Sequence, residues 1–193
     1  MDLPWGHEAR TKFITNVGLI TTAGPNGPNI MAAEWTYQLS YSPGLLAVSI
    51  GHGKATAENI RATGNFGVSM ASVKQTGLAS IAGNYSGKEY DKIGALKELG
   101  FGFYDGKKIN VLMVKGASLN VECKLVGEIP AGDHTLFVGE VLDFVVSSEQ
   151  SIGYSGGRYI LPGPDAEKPS EKERKRIKTV IERHKKTLAV KSS

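Results

Sequence analysis

The sequence is short of the residues from which the common catalytic centres are built. It holds a single cysteine, Cys123, which excludes an intrachain disulfide framework. Its four histidines (His7, His52, His134 and His184) are widely spaced, and neither C-x-x-C nor H-E-x-x-H occurs, so a zinc site is not expected. There is no G-x-S-x-G elbow. No G-x-G-x-x-G follows a strand in a βαβ context, which argues against a Rossmann dinucleotide site. No run of about 18 apolar residues suits a membrane span. No basic-then-apolar leader opens the chain, and a cytoplasmic protein is the simplest expectation.

What remains is an ordinary globular composition. Of the 193 residues 40% are hydrophobic and 22% charged, enough for one domain with a core, or one domain plus a tail. Glycine is abundant at 24 residues, which suits tight turns or close approach of backbone to a ligand. The net charge of +4 hides an asymmetry. Residues 168–191 carry ten Lys/Arg and three Glu, a net of +7, so the rest is mildly acidic at −3. The body therefore gives no support to nucleic-acid binding, and only the tail could meet a polyanion.

Up to residue 160 the chain reads mainly as strands. Segments 17–22, 45–50, 66–70, 111–114, 117–126 and 136–146 are apolar or β-branched and bounded by turn residues. Gly139 interrupts the last, as where a barrel strand bends. Helices are few: 56–63, opened by Thr56 as a capping residue, then 77–82 and 92–99. Many strands with short helices inserted predict a mainly β barrel rather than a doubly wound parallel sheet. Gly163, Pro164 and Pro169 then read as a linker. Ser170 and Glu173 form a capping box, and Ile177, Val180, Ile181 and Leu188 make a narrow apolar stripe. The expected domains are 1–162 and, as linker and basic helix, 163–193. The helix is expected to pack on the barrel or on a partner subunit.

Three segments could carry chemistry. In SIGHGKATAENI (49–60) a strand ends at Ile50, glycines bracket His52, Lys54 follows and a helix begins. Strand, glycine turn, lysine and helix N-terminus suit a phosphate, although the spacing fails the Walker A pattern. A plain capped helix accounts for it about as well. In GPNGPNIMAAEWTYQLSYSPG (24–44), Ala32 and Ala33 would let a flat aromatic ring lie close to the backbone. A hairpin with Trp35 in the core is the better account of that segment taken alone. In GDHTLFVGEV (132–141), His134 opens a strand where its imidazole could reach a cleft, although a structural histidine is favoured on the residues alone. Cys123 sits in an alternating strand and reads as packed rather than reactive.

Taken in order, these segments resemble the flavin reductase-like family, whose members have the FMN-binding split barrel. The resemblance runs over NVGLITT, NIMAAEWT, the S-P-G turn with LLAVSI, the G-x-G-K-x-T-x-x-N-I helix start, IAGNYSGKEYDK, LNVECKLVGEI and GDHTLFVGEV. It covers roughly residues 10–162 and is nearest to the flavoredoxin and archaeal ferric-reductase group. The resemblance implies a Greek-key split β-barrel, a homodimer, and FMN near the subunit interface. Asn29, Met31, Ala32, Ala33, Glu34, Trp35 and Thr36 would line the isoalloxazine and ribityl chain. Ser49, Ile50, Gly51, His52, Lys54, Thr56 and Asn59 would hold ribityl and phosphate. Asn84, Tyr85 and Ser86 would approach the ring, and Tyr159 would stand at the mouth. His134, the one residue assigned to catalysis, would sit near the nicotinamide or the flavin edge. Ala33 and Glu34 depart from the small polar residues common in the family. Glu34 beside a flavin would disfavour an anionic reduced ring, so its side chain is expected to point away.

The implied activity is hydride transfer from NADH or NADPH to flavin, then onward transfer to free flavin, ferric iron or a protein partner. The flavin supplies the redox chemistry and the protein supplies binding and orientation. A non-enzymatic FMN electron carrier is the alternative, and a polyanion-binding module built on the basic tail is a distant third.

Overall fold

The structure, a computed structural model, describes residues 2, 4 and 6–185. The chain divides into two compact units, Met1–Pro162 and Gly163–Ser193. In the first, a 3-10 turn (Glu8–Lys12) leads into β1 (Thr15–Asn16), β2 (Gly18–Thr22), β3 (Asn29–Ala33), β4 (Thr36–Tyr41) and β5 (Gly44–Gly51). Helix α1 (Ala55–Thr63) and β6 (Asn65–Met70) follow, then α2 (Thr76–Asn84) and α3 (Lys92–Glu98). The unit continues through β7 (Phe103–Asp105), β8 (Leu112–Val114), β9 (Leu119–Ala131), β10 (His134–Val146), β11 (Gly153–Ser155) and β12 (Arg158–Ile160).

Seven strands form one sheet in the order β3-β2-β6-β9-β10-β5-β4, with every neighbouring pair antiparallel. Its edge strands β3 and β4 are joined only by Glu34 and Trp35. Three residue steps reach at most about 11 Å, so the sheet is rolled until its edges meet at that dipeptide. The ladder does not close there. Asn16 Nδ2, just before β2, donates to Thr36 O of β4 at 2.7 Å across the seam, and Ser49 N–H donating to Trp35 O at 2.9 Å extends the β4–β5 ladder up to it.

Side-chain alternation then fills two cores. Ile20, Ala33, Val48, Ile50, Phe66, Val68, Val121, Cys123 and Phe137 point inside the roll, where Ala57 and Ile60 of α1 join them. Leu19 and Ile30 point outward against Leu78, Ala79 and Ala82 of α2 and Ile93 and Leu96 of α3. Strand β2 is covered on both faces, which explains its unbroken apolar run. Each fully buried side chain of this size contributes roughly 1.5–3 kcal/mol.

Gly139 lies at a register shift in the β9–β10 ladder, where a bend was expected. A Cβ there would lie 2.5 Å from Phe66 Cζ and 2.8 Å from Cys123 Cβ, so only glycine lets β10 cross this packing. Cys123 is wholly buried, and burial, helped by the Glu122 carboxylate beside it, pushes its thiol up to about 12. Glu122 itself accepts the backbone N–H groups of Lys107, Lys108 and Ile109 at 2.7–3.0 Å, which fixes the β7–β8 loop.

Two sequence expectations are corrected. Thr56 does not cap α1. The N-cap is Lys54, without a side-chain cap, because Asn29 Nδ2 donates to the Thr56 hydroxyl at 2.9 Å and draws Thr56 into the first turn. Strand β9 runs on to Ala131, because β10 pairs with it all the way to the 132–133 turn.

In the second unit, α4 (Glu171–Arg183) begins on the expected capping box: Ser170 Oγ accepts Glu173 N–H at 3.3 Å, and Glu173 Oε2 accepts Ser170 N–H at 2.8 Å. Ile177 and Ile181 are exposed on this helix, and Leu188 of the expected stripe lies outside the described residues. Among the described residues no helix is long and apolar enough to cross a membrane.

Candidate functional site

The inward alternation of β3 and β5 decides which of their residues face outward at the seam. Ala33, Val48 and Ile50 belong to the inner core and Met31 packs on it. Ala32, Ser49 and Gly51 therefore face the other way. The side chains of Met31 and Ala33, expected to line the ring, and of Ile50, expected beside the ribityl and phosphate, pack on the inner core and leave a ligand only their backbone.

The register of β5 with β10 sets Gly51 opposite His134 and Ser49 opposite Leu136. A Cβ on Gly51 would stand 3.6 Å from His134 Nε2 and 3.8 Å from Lys54 Cε, so this glycine leaves a hollow between an imidazole and a lysine. His134 is aimed by its neighbour: Nδ1 lies 2.7 Å from Asp133 Oδ1, and the imidazole holds that carboxyl below its usual range. The Trp35 ring lies on His134, centroids 4.8 Å apart and tilted by 53°. Arg10 covers Trp35 at 5.3 Å from its centroid and forms an ion pair with Glu34. Glu34 thus turns toward the N-terminal segment and a cavity of about 120 Å³ lined also by His7, Thr11 and Tyr154.

Helix α1 begins beside the same hollow, with Lys54 as its N-cap. Its first N–H groups, at Ala55 and Thr56, have no intrahelical acceptor by geometry, since the bonds to Lys54 O begin at Ala57 (3.0 Å) and Glu58 (3.3 Å). Helix dipole and Lys54 together favour an anion.

The end of α2 closes the other side. A Cβ on Gly83 would lie 3.4 Å from Ala32 Cβ, and one on Gly87 would strike the Asn29 carboxamide. Lys88 Nζ reaches Glu58 of α1 at 2.6 Å, and Asn26 Nδ2 donates to the same carboxylate at 3.0 Å. Asn84, Tyr85 and Ser86 are exposed between these contacts.

Three expected residues have other tasks. Asn59 is completely buried: its Oδ1 accepts Asn26 N–H at 3.0 Å and Asn26 Nδ2 at 3.3 Å, and its Nδ2 donates to Thr22 Oγ1 at 3.1 Å and Gly27 O at 2.9 Å. Both ends of the amide are in use, so Asn59 shapes the 24–27 turn instead of holding a ligand. Tyr159 packs in the outer core with its hydroxyl 3.0 Å from Ser80 Oγ of α2. Thr36 is buried and its hydroxyl donates to Ala33 O at 3.0 Å, which steadies the seam.

Sequence reading overlooked Lys92. Its Nζ donates to Ala82 O at 3.1 Å and Tyr85 O at 3.0 Å, clasping the last turn of α2. Burial pushes this ammonium down to about 8, with repulsion from Lys54 the second cause. The signal was available: Lys92 stands four residues before Leu96 and so shares the buried face of α3.

The model of the flavin reductase like domain matches residues 10–160. An uncharacterized protein of Archaeoglobus fulgidus is 37% identical over 123 residues, 64% of this chain and 68% of that one. The ferric-chelate reductase (NAD(P)H) of the same organism is 29% identical over 136 residues, 69% of this chain and 77% of that one. Among solved structures, the flavoredoxin of Desulfovibrio vulgaris (Miyazaki F) is similar with a TM-score of 0.72 at 26% identity, over 89% of this chain and 98% of that one. With the rolled sheet and the order of its segments, the match over residues 10–160 makes this chain a member of the flavin reductase-like family.

Proposed function

We propose that the chain binds FMN at the seam of a Greek-key split barrel and transfers electrons from NADH or NADPH to flavin or ferric iron, as a cytoplasmic homodimer. The observation that carries this reading is the hollow at Gly51, flanked by His134 and Lys54 and lying beside the α1 N-terminus. A flat ring with a phosphate tail needs one flat apolar wall and one anion site. Ala32 against Gly83 supplies the first, with Trp35 and Ser49 alongside. His52, Lys54 and the first N–H groups of α1 supply the second. Asn29 and Thr56 brace that turn through their mutual hydrogen bond, and Asn84, Tyr85 and Ser86 cover the opening. Bound flavin would supply the two-electron chemistry.

The protein's own part is orientation and charge. The 2.7 Å contact of His134 Nδ1 with Asp133 Oδ1 fixes the imidazole so that Nε2 lies toward the hollow at Gly51. His134 is thereby suited to orient a nicotinamide amide at the flavin edge. Arg10 holds Glu34 away from the ring, so that no carboxylate opposes negative charge there. Tyr159 steadies α2 through Ser80. Dimer formation is supported by the unpaired edge of β4, which exposes Tyr37, Leu39 and, at 92%, Tyr41.

The likeness to flavoredoxin favours a second reading, an electron carrier that keeps its FMN and is reduced by another protein. Steady-state NADH and NADPH oxidation by FMN-loaded protein, with free flavin and a ferric chelate as acceptors, separates the two. Repeated turnover is expected. Absence of turnover with every acceptor would leave only the carrier.

A further inference from the structure

Arg10, Trp35 and His134 come from distant parts of the chain and meet in a row beside the Gly51 hollow. Arg10 Cζ stands 5.3 Å from the centroid of the Trp35 ring, and that centroid stands 4.8 Å from the one of His134. A carboxylate attends each end of the row: Glu34 pairs with Arg10, and Asp133 Oδ1 lies 2.7 Å from His134 Nδ1. The two carboxylates differ in their surroundings. The Asp133 side chain is 93% exposed, so it turns the imidazole but, in competition with water, adds little rigidity. The Arg10 and Glu34 side chains are only 15% and 19% exposed, so their pair is largely withdrawn from solvent and costly to break. The segment that delivers Arg10 is fastened at its other side. Ser155 Oγ donates to Thr11 O at 3.1 Å, Thr15 Oγ1 donates to Tyr154 O at 3.2 Å, and a Cβ on Gly156 would lie 2.9 Å from Thr11 Cγ2. The 3-10 turn is thus tied both to the β11–β12 hairpin and to the Glu34–Trp35 dipeptide at the seam.

Resting on the role given to His134 above, we infer that Arg10 is a positioning residue for the pyridine nucleotide: clamped by Glu34, it steadies the Trp35 ring, and that ring steadies the His134 imidazole at the flavin edge. Arg10 acts through Trp35 and His134 and not by touching the nucleotide. An indole face attracts a guanidinium, and an indole packs against an imidazole, so Trp35 couples the two. Without the cation the indole is free to turn, and the imidazole loses the wall that narrows its choice of rotamer. An imidazole that samples several orientations binds the nicotinamide amide less well, because its ordering then falls on the binding step. The flavin keeps the other walls of the hollow and loses little.

The test is a double-mutant cycle on the FMN-loaded full chain. Steady-state oxidation of NADH or NADPH, whichever the wild type turns over faster, is compared in Arg10→Gln, Arg10→Lys, Glu34→Gln, His134→Ala and the double variant Arg10→Gln/His134→Ala. Flavin fluorescence reads FMN binding in each. Arg10→Gln and Glu34→Gln are expected to raise KM for the nucleotide about three- to tenfold, with kcat and FMN affinity within about twofold. Arg10→Lys keeps a cation beside Glu34 and Trp35 and should recover most of the loss. The double variant decides: once the imidazole is gone, Arg10→Gln should change KM no further than His134→Ala alone. An effect of Arg10→Gln that persists in full without His134 would make Arg10 a direct contact and overturn the inference. Equal losses of nucleotide and FMN would reduce it to a structural tie and overturn it too. Glu34→Gln loosens Arg10 without removing it, and its own pairing with His134→Ala gives the same comparison should Arg10→Gln fail to fold. A His134→Ala protein with unchanged KM would remove the role of His134, and a wild type without turnover would refute the reductase reading. Either result takes the inference with it and is distinguishable, because it appears before Arg10 is altered.

Discussion

Asn59→Ala separates a ligand-binding residue from a structural one at the same position. Asn59 is 0% exposed and makes four hydrogen bonds that tie α1 to Thr22, Asn26 and Gly27. Truncation leaves Asn26 N–H, Gly27 O and the Thr22 hydroxyl without their partner. An unsatisfied buried group costs about 1–3 kcal/mol. Asn26 and Gly27 are only half-buried, so water recovers part of that, and about 3 kcal/mol in all is a fair sum. For a body of this size a loss of that order lowers the melting midpoint by roughly 6–12 °C. Thermal and urea unfolding without flavin read the stability, and an FMN titration well below the midpoint reads the site. The folded variant should keep FMN affinity within about threefold, since no part of the amide is left for a ligand. A midpoint within about 2 °C of wild type together with lost FMN binding would refute the argument and restore Asn59 as a ligand.

Other substitutions probe neighbouring claims. Ala32→Leu places a branched side chain beside Gly83, where the ring should lie, and should weaken FMN by more than about tenfold, with the unfolding midpoint read alongside because Ala32 also packs on the outer core under α2. Gly139→Ala should cost about 1–3 kcal/mol by urea unfolding, because its Cβ would meet Phe66 and Cys123 inside the core. Cys123, its thiol pushed up to about 12, should resist alkylation in native protein at pH 8 and react at once in denaturant. Lys92 binds fewer protons folded, where its value is about 8, than unfolded, where it is 10.5. Its contribution to stability therefore rises with pH across that window and is flat below it. Urea midpoints followed from pH 7.5 to 10 should show this trend in wild type and lack it in Lys92→Met.

Much of this was legible in the residues. β2, β5 and β6 announce themselves by β-branched runs between turns, and the capping box at Ser170 and Glu173 opens α4 where the pattern put it. Burial on both faces hid the alternation that would have fixed the faces of β2. Strands β3 and β4 were harder, because Ala32, Ala33 and Glu34 carry little strand signal and only the rolled sheet makes them edges. The site was legible as a list and not as a geometry. Ser49 to Lys54 and His134 come together because β5 and β10 pair in one register, a long-range fact. Met31 and Ala33 were grouped with the ring-facing residues, and Ile50 with those holding ribityl and phosphate, because contiguous sequence does not say which side of a strand faces the ligand. Lys92 and Arg10 went unnoticed since their partners, Ala82, Tyr85, Glu34 and Trp35, are set by tertiary packing.

The most direct test of the central claim is the absorbance spectrum of the purified protein as FMN is added, followed by NADH under anaerobic conditions. Binding at the seam predicts flavin bands shifted and structured by the protein, a shift much reduced in Ala32→Leu, and bleaching on adding NADH. Spectra that remain those of free FMN at every ratio would contradict the account and leave the Gly51 hollow without its proposed ligand.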